Sequence, residues 1–258
     1  MRRSYQTVDT NNLARTLVRL RSEGKQLPTT QFQTLPADRE SAMEIQGVVS
    51  ELENIDSRAW KVASSPSNDL VVAPLHPFVR SSPRPTLIWR QGIKLEVEIA
   101  VKLGKDLPVL ANGAYSRNGL ADAVSEVYLG AELVWSAVEE GATISYPLFL
   151  ADRLGNMGYV IGPSLPASTL DSLVGMPLAV SLDRSTLHDA VAQHPAGDVL
   201  TWLLGYANDR SRPSGSLLAG SVFTTGSLCG AIEIEKPGEI VITFGPETAF
   251  DFVLSAEP

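Results

Sequence analysis

The segment Lys94 to Val101, Lys-Leu-Glu-Val-Glu-Ile-Ala-Val, alternates with a period of two and reads as a β-strand with unlike faces. Leu95, Val97, Ile99 and Val101, with Leu103 just beyond, lie on one face, and Glu96 and Glu98 on the other. Side chains two apart on a strand point the same way, with Cα atoms ~6.6 Å apart, so both carboxylates can converge on one cation from rigid backbone. Two carboxylates do not complete such a site. Mg²⁺ or Mn²⁺ takes about six oxygens, so the chain must offer a third acid and leave room for a chelating ligand. The competing reading of the same pattern is a solvated charged face on an amphipathic strand.

With 258 residues, 44% of them hydrophobic, the chain is long enough for one large domain with a buried core, or one domain with a terminal extension. Its formal net charge of -8 argues against a nucleic acid or an anionic membrane as main partner, because both require clustered Lys and Arg. The single cysteine, Cys229, excludes an internal disulfide and a thiolate metal cluster within one chain. A reducing compartment fits, and Cys229 reads as a small buried residue. The start, Met1-Arg2-Arg3-Ser4-Tyr5-Gln6, lacks the apolar core of a secretory signal, and nowhere do about 18 apolar residues run together. The expectation is a soluble, cytoplasmic protein.

Leu13, Leu17 and Leu20, with Ala14 and Val18, follow helical spacing from Thr10, and Gly24 and Pro28 supply a stop, giving a helix over about 10–22. Asp38 caps a second helix that carries Ala42, Ile45, Val48 and Val49 toward Leu52. After this helical N-terminal fifth the texture changes to short β-branched runs separated by Pro, Gly, Ser and Asn. The strands fall at Ala59 to Ala63, Leu70 to Val72, Thr86 to Trp89, Glu96 to Leu103, around Ile161, Leu178 to Leu182, Val222 to Thr225, Ile232 to Ile234 and Ile240 to Phe244. Helices interrupt them at Leu120 to Val127, Leu148 to Leu154 and Asp198 to Ala207. This irregular punctuation points to a mixed α+β fold rather than a βαβ succession. The proline-rich stretch from Ala73 to Pro85 reads as a loop bordering a site, with His76 and Arg80 as candidate substrate contacts. His188 and His194 lie in a connection read as helical, without metal-ligand spacing, and are taken as structural or exposed.

Several segments in order carry a resemblance: Trp60-Lys61-Val62; Glu96-Val97-Glu98-Ile99-Ala100 running into Leu103-Gly104-Lys105-Asp106-Leu107-Pro108; Gly130-Ala131-Glu132-Leu133-Val134; Ala219-Gly220; and Thr225-Gly226-Ser227. Together they resemble the 2-keto-4-pentenoate hydratase and 4-oxalocrotonate decarboxylase branch of the fumarylacetoacetate hydrolase superfamily. The resemblance implies a mixed β-roll core, residues 59–258, as the catalytic unit, with the helical segment 1–58 packed on it. It implies Mg²⁺ or Mn²⁺ held by Glu96, Glu98 and Glu132, an active-site lysine at Lys61, a substrate contact at Ser227, and a homo-oligomer. Glu126 competes with Glu132 but reads as part of a helical turn. From the strand pattern alone Lys61 is a solvated lysine on an edge strand; beside a metal, its pKa is expected to be pulled down.

The implied substrate is a 2-oxo acid or its 2-hydroxy-2,4-dienoate, whose carboxylate and keto oxygens chelate the metal while an enolate forms. Hydration is the first reading. Decarboxylation, C–C bond hydrolysis and a non-catalytic relative stay open, because one electron sink serves all three reactions. Three departures bear on the choice. Lys61-Val62 leads to Ala63-Ser64-Ser65-Pro66 instead of the family's glycine and Leu-Thr-Ser turn. Trp135-Ser136-Ala137 stands where the family often has Asp-Ser-Arg, and Ser221 stands for an Asp. Trp135 reads either as the wall of a less polar pocket or as a core residue.

Overall fold

Residues 3–55 and 58–256 are described by the computed structural model. Helix α1 (Arg3–Glu23) starts earlier than its apolar spacing indicates, and Gly24, at φ +62, stops it. Leu13, Ala14, Leu17 and Leu20 form its buried stripe. Helix α2 (Arg39–Leu52) opens on a capping box: Ser41 N donates to Asp38 Oδ1 at 2.9 Å and Asp38 N donates to Ser41 Oγ at 3.2 Å. The two helices pack on each other and bury Ala42, Ile45 and Val49 of α2.

The remaining chain is mostly strand. In order come β1 (Ala59–Ser64), β2 (Leu70–Pro74), β3 (Phe78–Arg80), β4 (Thr86–Ile88), β5 (Lys94–Leu103), a short helix α3 (Arg117–Ala121) and β6 (Val124–Val134). Helix α4 (Tyr146–Ala151), β7 (Asn156–Leu165), β8 (Pro177–Leu182), β9 (Ser185–Val191) and α5 (Thr201–Asn208) follow, then β10 (Val222–Ser227), β11 (Ile232–Glu233), β12 (Gly238–Phe244) and β13 (Thr248–Ser255). One curled sheet has the order β2-β1-β10-β5-β6-β7-β3, with β11 on the N-terminal end of β5. The other is β4-β13-β12-β8-β9. Parallel pairs (β1 with β10, β3 with β7, β4 with β13) interrupt otherwise antiparallel ladders, so the fold is mixed α+β.

Strand β5 is the spine of the larger sheet. Leu95, Val97, Ile99, Val101 and Leu103 are each 0% exposed and face the main core, together with Leu129, Ala131 and Leu133 of β6. Burial of each such large aliphatic side chain stabilises the fold by roughly 1.5–3 kcal/mol. The opposite face of the same strands carries a second, smaller cluster that includes Ala59, Ala100, Tyr128, Tyr159, Ile161 and Val222.

Several sequence expectations are corrected. The segment Leu120 to Val127 is not a helix: α3 ends at Ala121, and β6, with Glu126 in it, pairs with β5 over ten register positions. Leu120, Val124 and Val127 have helical spacing, but the ladder to β5 prevails over that local pattern. Strand β7 extends far beyond Ile161 and contains Gly158, Gly162 and Pro163, which hid it. His188 lies on β9, and β13 completes the second sheet. Part of the proline-rich stretch forms β3 instead of a loop.

The N-terminal helices are tied to the sheets by a buried ion pair. Arg21 Nε meets Asp152 Oδ1 at 2.6 Å, and its other nitrogens donate to the carbonyls of Asn156 and Asp152, each at 2.7 Å. Asp152 Oδ2 accepts from Ser136 Oγ at 2.8 Å and from Ala137 N at 2.9 Å. The next three residues, Arg153, Leu154 and Gly155, all have left-handed φ, +55, +52 and +70. Asp152→Ala would strand the Arg21 guanidinium in the core, and urea unfolding should show a loss of about 3–5 kcal/mol.

Candidate metal centre

Register places the acids. In the β5–β6 ladder Glu96 faces Glu132 and Glu98 faces Gly130, so all three carboxylates project from one face of two adjacent strands. Oxygens of Glu96, Glu98 and Glu132 lie within 4.8 Å of one another. Glu98 is 2% exposed, Glu132 0%, and Glu96 half-buried, so the cluster opens to solvent on the Glu96 side.

Lys61 joins them. Strand β1 is held between β2 and β10, so it is not an edge, and the side chain that alternation sends away from Trp60 and Val62 runs into the sheet's second face. It is 8% exposed, and its Nζ donates to Glu132 Oε1 at 2.7 Å. Asn156 Nδ2 donates to the same oxygen at 3.0 Å, while Asn156 Oδ1 accepts from the backbone N of His76 at 2.8 Å. Both donors therefore use Oε1. Glu132 Oε2 and Glu98 Oε2 are buried and have no hydrogen-bond partner among the described residues.

Burial, with the charges of Glu132 and Glu96, pushes the Glu98 carboxyl well above the usual carboxylate range, against the pull of Lys61. Burial also raises Glu132, opposed by the charge of Lys61 and by hydrogen bonds from Lys61 and Asn156. For Lys61 burial acts downward, but the charges of Glu132, Glu96 and Glu98 together outweigh it and hold the ammonium above its ordinary value. Three carboxylates facing one ammonium hold the Lys61 pKa up, whereas the depression expected from the sequence supposes a cation beside it. Two buried carboxylate oxygens without donors, converging with a third acid, form a set that a hard divalent cation fits and that further protein donors do not satisfy.

The other sequence candidates are dispersed. His76 and Arg80 line a cavity of about 540 Å³ with Arg58 and Lys102 at its rim; its floor includes Ala59, Tyr128, Ile161 and Val222, farther along the strands that carry the cluster. Burial and nearby Arg153 lower the His76 pKa. Ser227 lies opposite Glu98, with its hydroxyl donated to Gly230 O at 2.7 Å. Glu126 pairs with Lys102 at 2.5 Å and accepts from the Tyr128 hydroxyl, away from the three acids. Trp135 is a core residue, its indole N–H donating to Gln91 O at 3.2 Å, with the Arg90 guanidinium 5.5 Å from its ring centre. His194 is structural: it is buried, bonds Thr225 O at 2.6 Å and packs on Trp202. Asn156 and Tyr159 were missed. Neither falls in a motif, and only the three-dimensional neighbourhood of Glu132 identifies them.

No protein-family model matches the chain, and no curated protein matches its sequence. The fold is that of several solved structures. 4-oxalocrotonate decarboxylase from Pseudomonas putida G7, complexed with magnesium and adipate, superposes with a TM-score of 0.75 at 14% identity, covering 95% of this chain and 97% of that one. A Yersinia pestis CO92 protein provisionally assigned to the fumarylacetoacetate hydrolase family gives 0.55 at 15% identity over 76% of this chain and 92% of that one. Maleylpyruvate hydrolase from Sphingobium sp. SYK-6, in complex with manganese(II) and pyruvate, gives 0.50 at 13% identity over 78% and 70%. The β-roll type expected from the resemblance is therefore the observed fold.

Raised carboxyl pKa values mean that the folded chain binds these protons more tightly than the unfolded chain, so stability falls as pH climbs above the ordinary carboxylate value of 4.5. Metal-free Glu98→Gln should therefore unfold at higher urea than the parent at pH 7, and the gap should close below pH 4.5, where both forms are protonated.

Proposed function

We propose that this chain is a divalent-metal-dependent enzyme that enolises a 2-oxo acid, or its 2-hydroxy-2,4-dienoate tautomer, and acts as a lyase. The reading rests chiefly on one observation: two buried carboxylate oxygens without donors among the described residues, converging with Glu96 beside a buried lysine. The metal-bearing complexes of the fold relatives support it.

Glu96, Glu98 and Glu132 would hold Mg²⁺ or Mn²⁺. The bound cation would supply the Lewis acidity that draws electron density onto the 2-oxo oxygen of a chelating acid. Asn156 and Lys61 fix Glu132 by a single oxygen and leave the other directed at the site. Lys61 holds a proton at Nζ within the cluster and is the group placed to give it to substrate carbon; a bound cation would offset the carboxylate charges that hold the ammonium, and the neutral amine could then take a proton back. The burial of Glu98, Glu132 and Lys61 excludes bulk water and strengthens each of these electrostatic interactions.

The outcome after enolisation is read as hydration, as the sequence resemblance suggests, with decarboxylation as the second reading. Two observations favour the second. The fold likeness to the decarboxylase spans both chains almost completely. The segment after Glu132 turns into the core, where Ser136 and Ala137 are committed to Asp152 and offer no acid or base to a water molecule.

Titration calorimetry should detect one Mg²⁺ or Mn²⁺ per chain, lost in Glu132→Gln; unchanged affinity in that variant would remove the assignment. Metal-loaded protein should exchange the C3 protons of 2-oxopentanoate with solvent. Lys61→Met should slow this exchange by ~10²-fold, the scale of a lost general acid or base, with metal binding retained. Absence of exchange with any 2-oxo acid, in protein shown to hold metal, would overturn the enzymatic reading.

A further inference from the structure

On the acid-bearing face, Glu98 Oε2, Glu132 Oε2, Thr224 Oγ1 and Tyr159 Oη are buried and have no hydrogen-bond partner among the described residues. A cation accounts for the two carboxylate oxygens, and Thr224 stands beside Glu98. The phenol is unexplained. A phenylalanine would fill the same space without a stranded hydroxyl, and buried polar groups normally find partners.

Tyr159 is held firmly. It is 0% exposed, its ring stacks on Phe78 with centroids 5.7 Å apart and planes 7° from parallel, and its backbone N donates to Pro77 O at 2.8 Å. Its Cα faces Glu132 across the β6–β7 ladder, yet the side chain leans over Gly130, the residue opposite Glu98. Any Cβ at position 130 would overlap the Tyr159 hydroxyl, so the missing side chain there lets the phenol cross β6 toward β5.

Glu132 Oε1 already accepts from Lys61 and Asn156, whereas Glu98 Oε2 accepts from nothing among the described residues. We propose that Tyr159 is a positioning residue for the metal centre: when Glu98 turns one oxygen onto the cation, the Tyr159 hydroxyl donates to the other and fixes the carboxylate in its ligating orientation. This rests on the reading of the acid cluster as a metal site. Donors behind a ligating carboxylate are part of its affinity, and their removal weakens metal binding by roughly 10–100-fold.

Mn²⁺ titrated calorimetrically into wild type and Tyr159→Phe tests the assignment. The variant should bind Mn²⁺ at least ~10-fold more weakly, while the metal-free form unfolds at an unchanged or higher midpoint, because the lost hydroxyl had no partner. Phe78→Leu keeps the hydroxyl but removes the ring that pins it, and should weaken Mn²⁺ binding several-fold; it carries the test if Tyr159→Phe does not fold. Equal Mn²⁺ affinity in wild type and variants would overturn the role of Tyr159, as would a loss of metal-free stability with affinity unchanged. Failure of the wild type itself to take up Mn²⁺ would remove the metal reading and this inference with it.

Discussion

The acid cluster depends on the pairing of β5 with β6. Each strand has one fully buried aliphatic face, so a slip of either by a single residue would turn its own set, Leu95, Val97 and Ile99 of β5 or Leu129, Ala131 and Leu133 of β6, away from the core. Hydrophobic burial on one side of the sheet thus dictates what happens on the other. Once the aliphatic residues are seated, the pleat forces Glu96, Glu98 and Glu132 into proximity whatever their mutual repulsion.

That repulsion is relieved unevenly. Lys61 and Asn156 both address Glu132, and on the same oxygen, instead of being shared among the acids. One carboxylate is oriented by two donors while burial and the charges of Glu132 and Glu96 hold the neighbouring Glu98 well above the usual carboxylate range. A structural network would spread its donors until every acceptor was satisfied. An arrangement left short of donors in a buried part of a sheet is what the proposed cation site would require.

Alternation made β5 legible in the sequence, because its two faces differ so sharply. The same rule sent Lys61 away from Trp60 and Val62 correctly. Alternation cannot tell whether the second face meets water or another layer of protein, and that depends on β2 and β10 flanking β1. Glu132 was reached through family likeness, since the helical spacing of Leu120, Val124 and Val127 obscured the beginning of β6. Strand β7 was lost behind Gly158, Gly162 and Pro163, and Tyr159 with it. Asn156 had no local signal: its contact with Glu132 arises from strand order and from the turn that precedes it.

That left-handed turn, Arg153 to Gly155, separates Asp152 from Asn156 by only three residues. One end of it receives Arg21 from α1, and the other orients Glu132. The helical segment and the acid cluster are consequently mechanically coupled through a short, conformationally demanding piece of backbone. Arg21 of α1 in fact reaches both ends of this turn, pairing with Asp152 and donating to the carbonyl of Asn156, so the helical segment is anchored at the residue whose side chain orients Glu132.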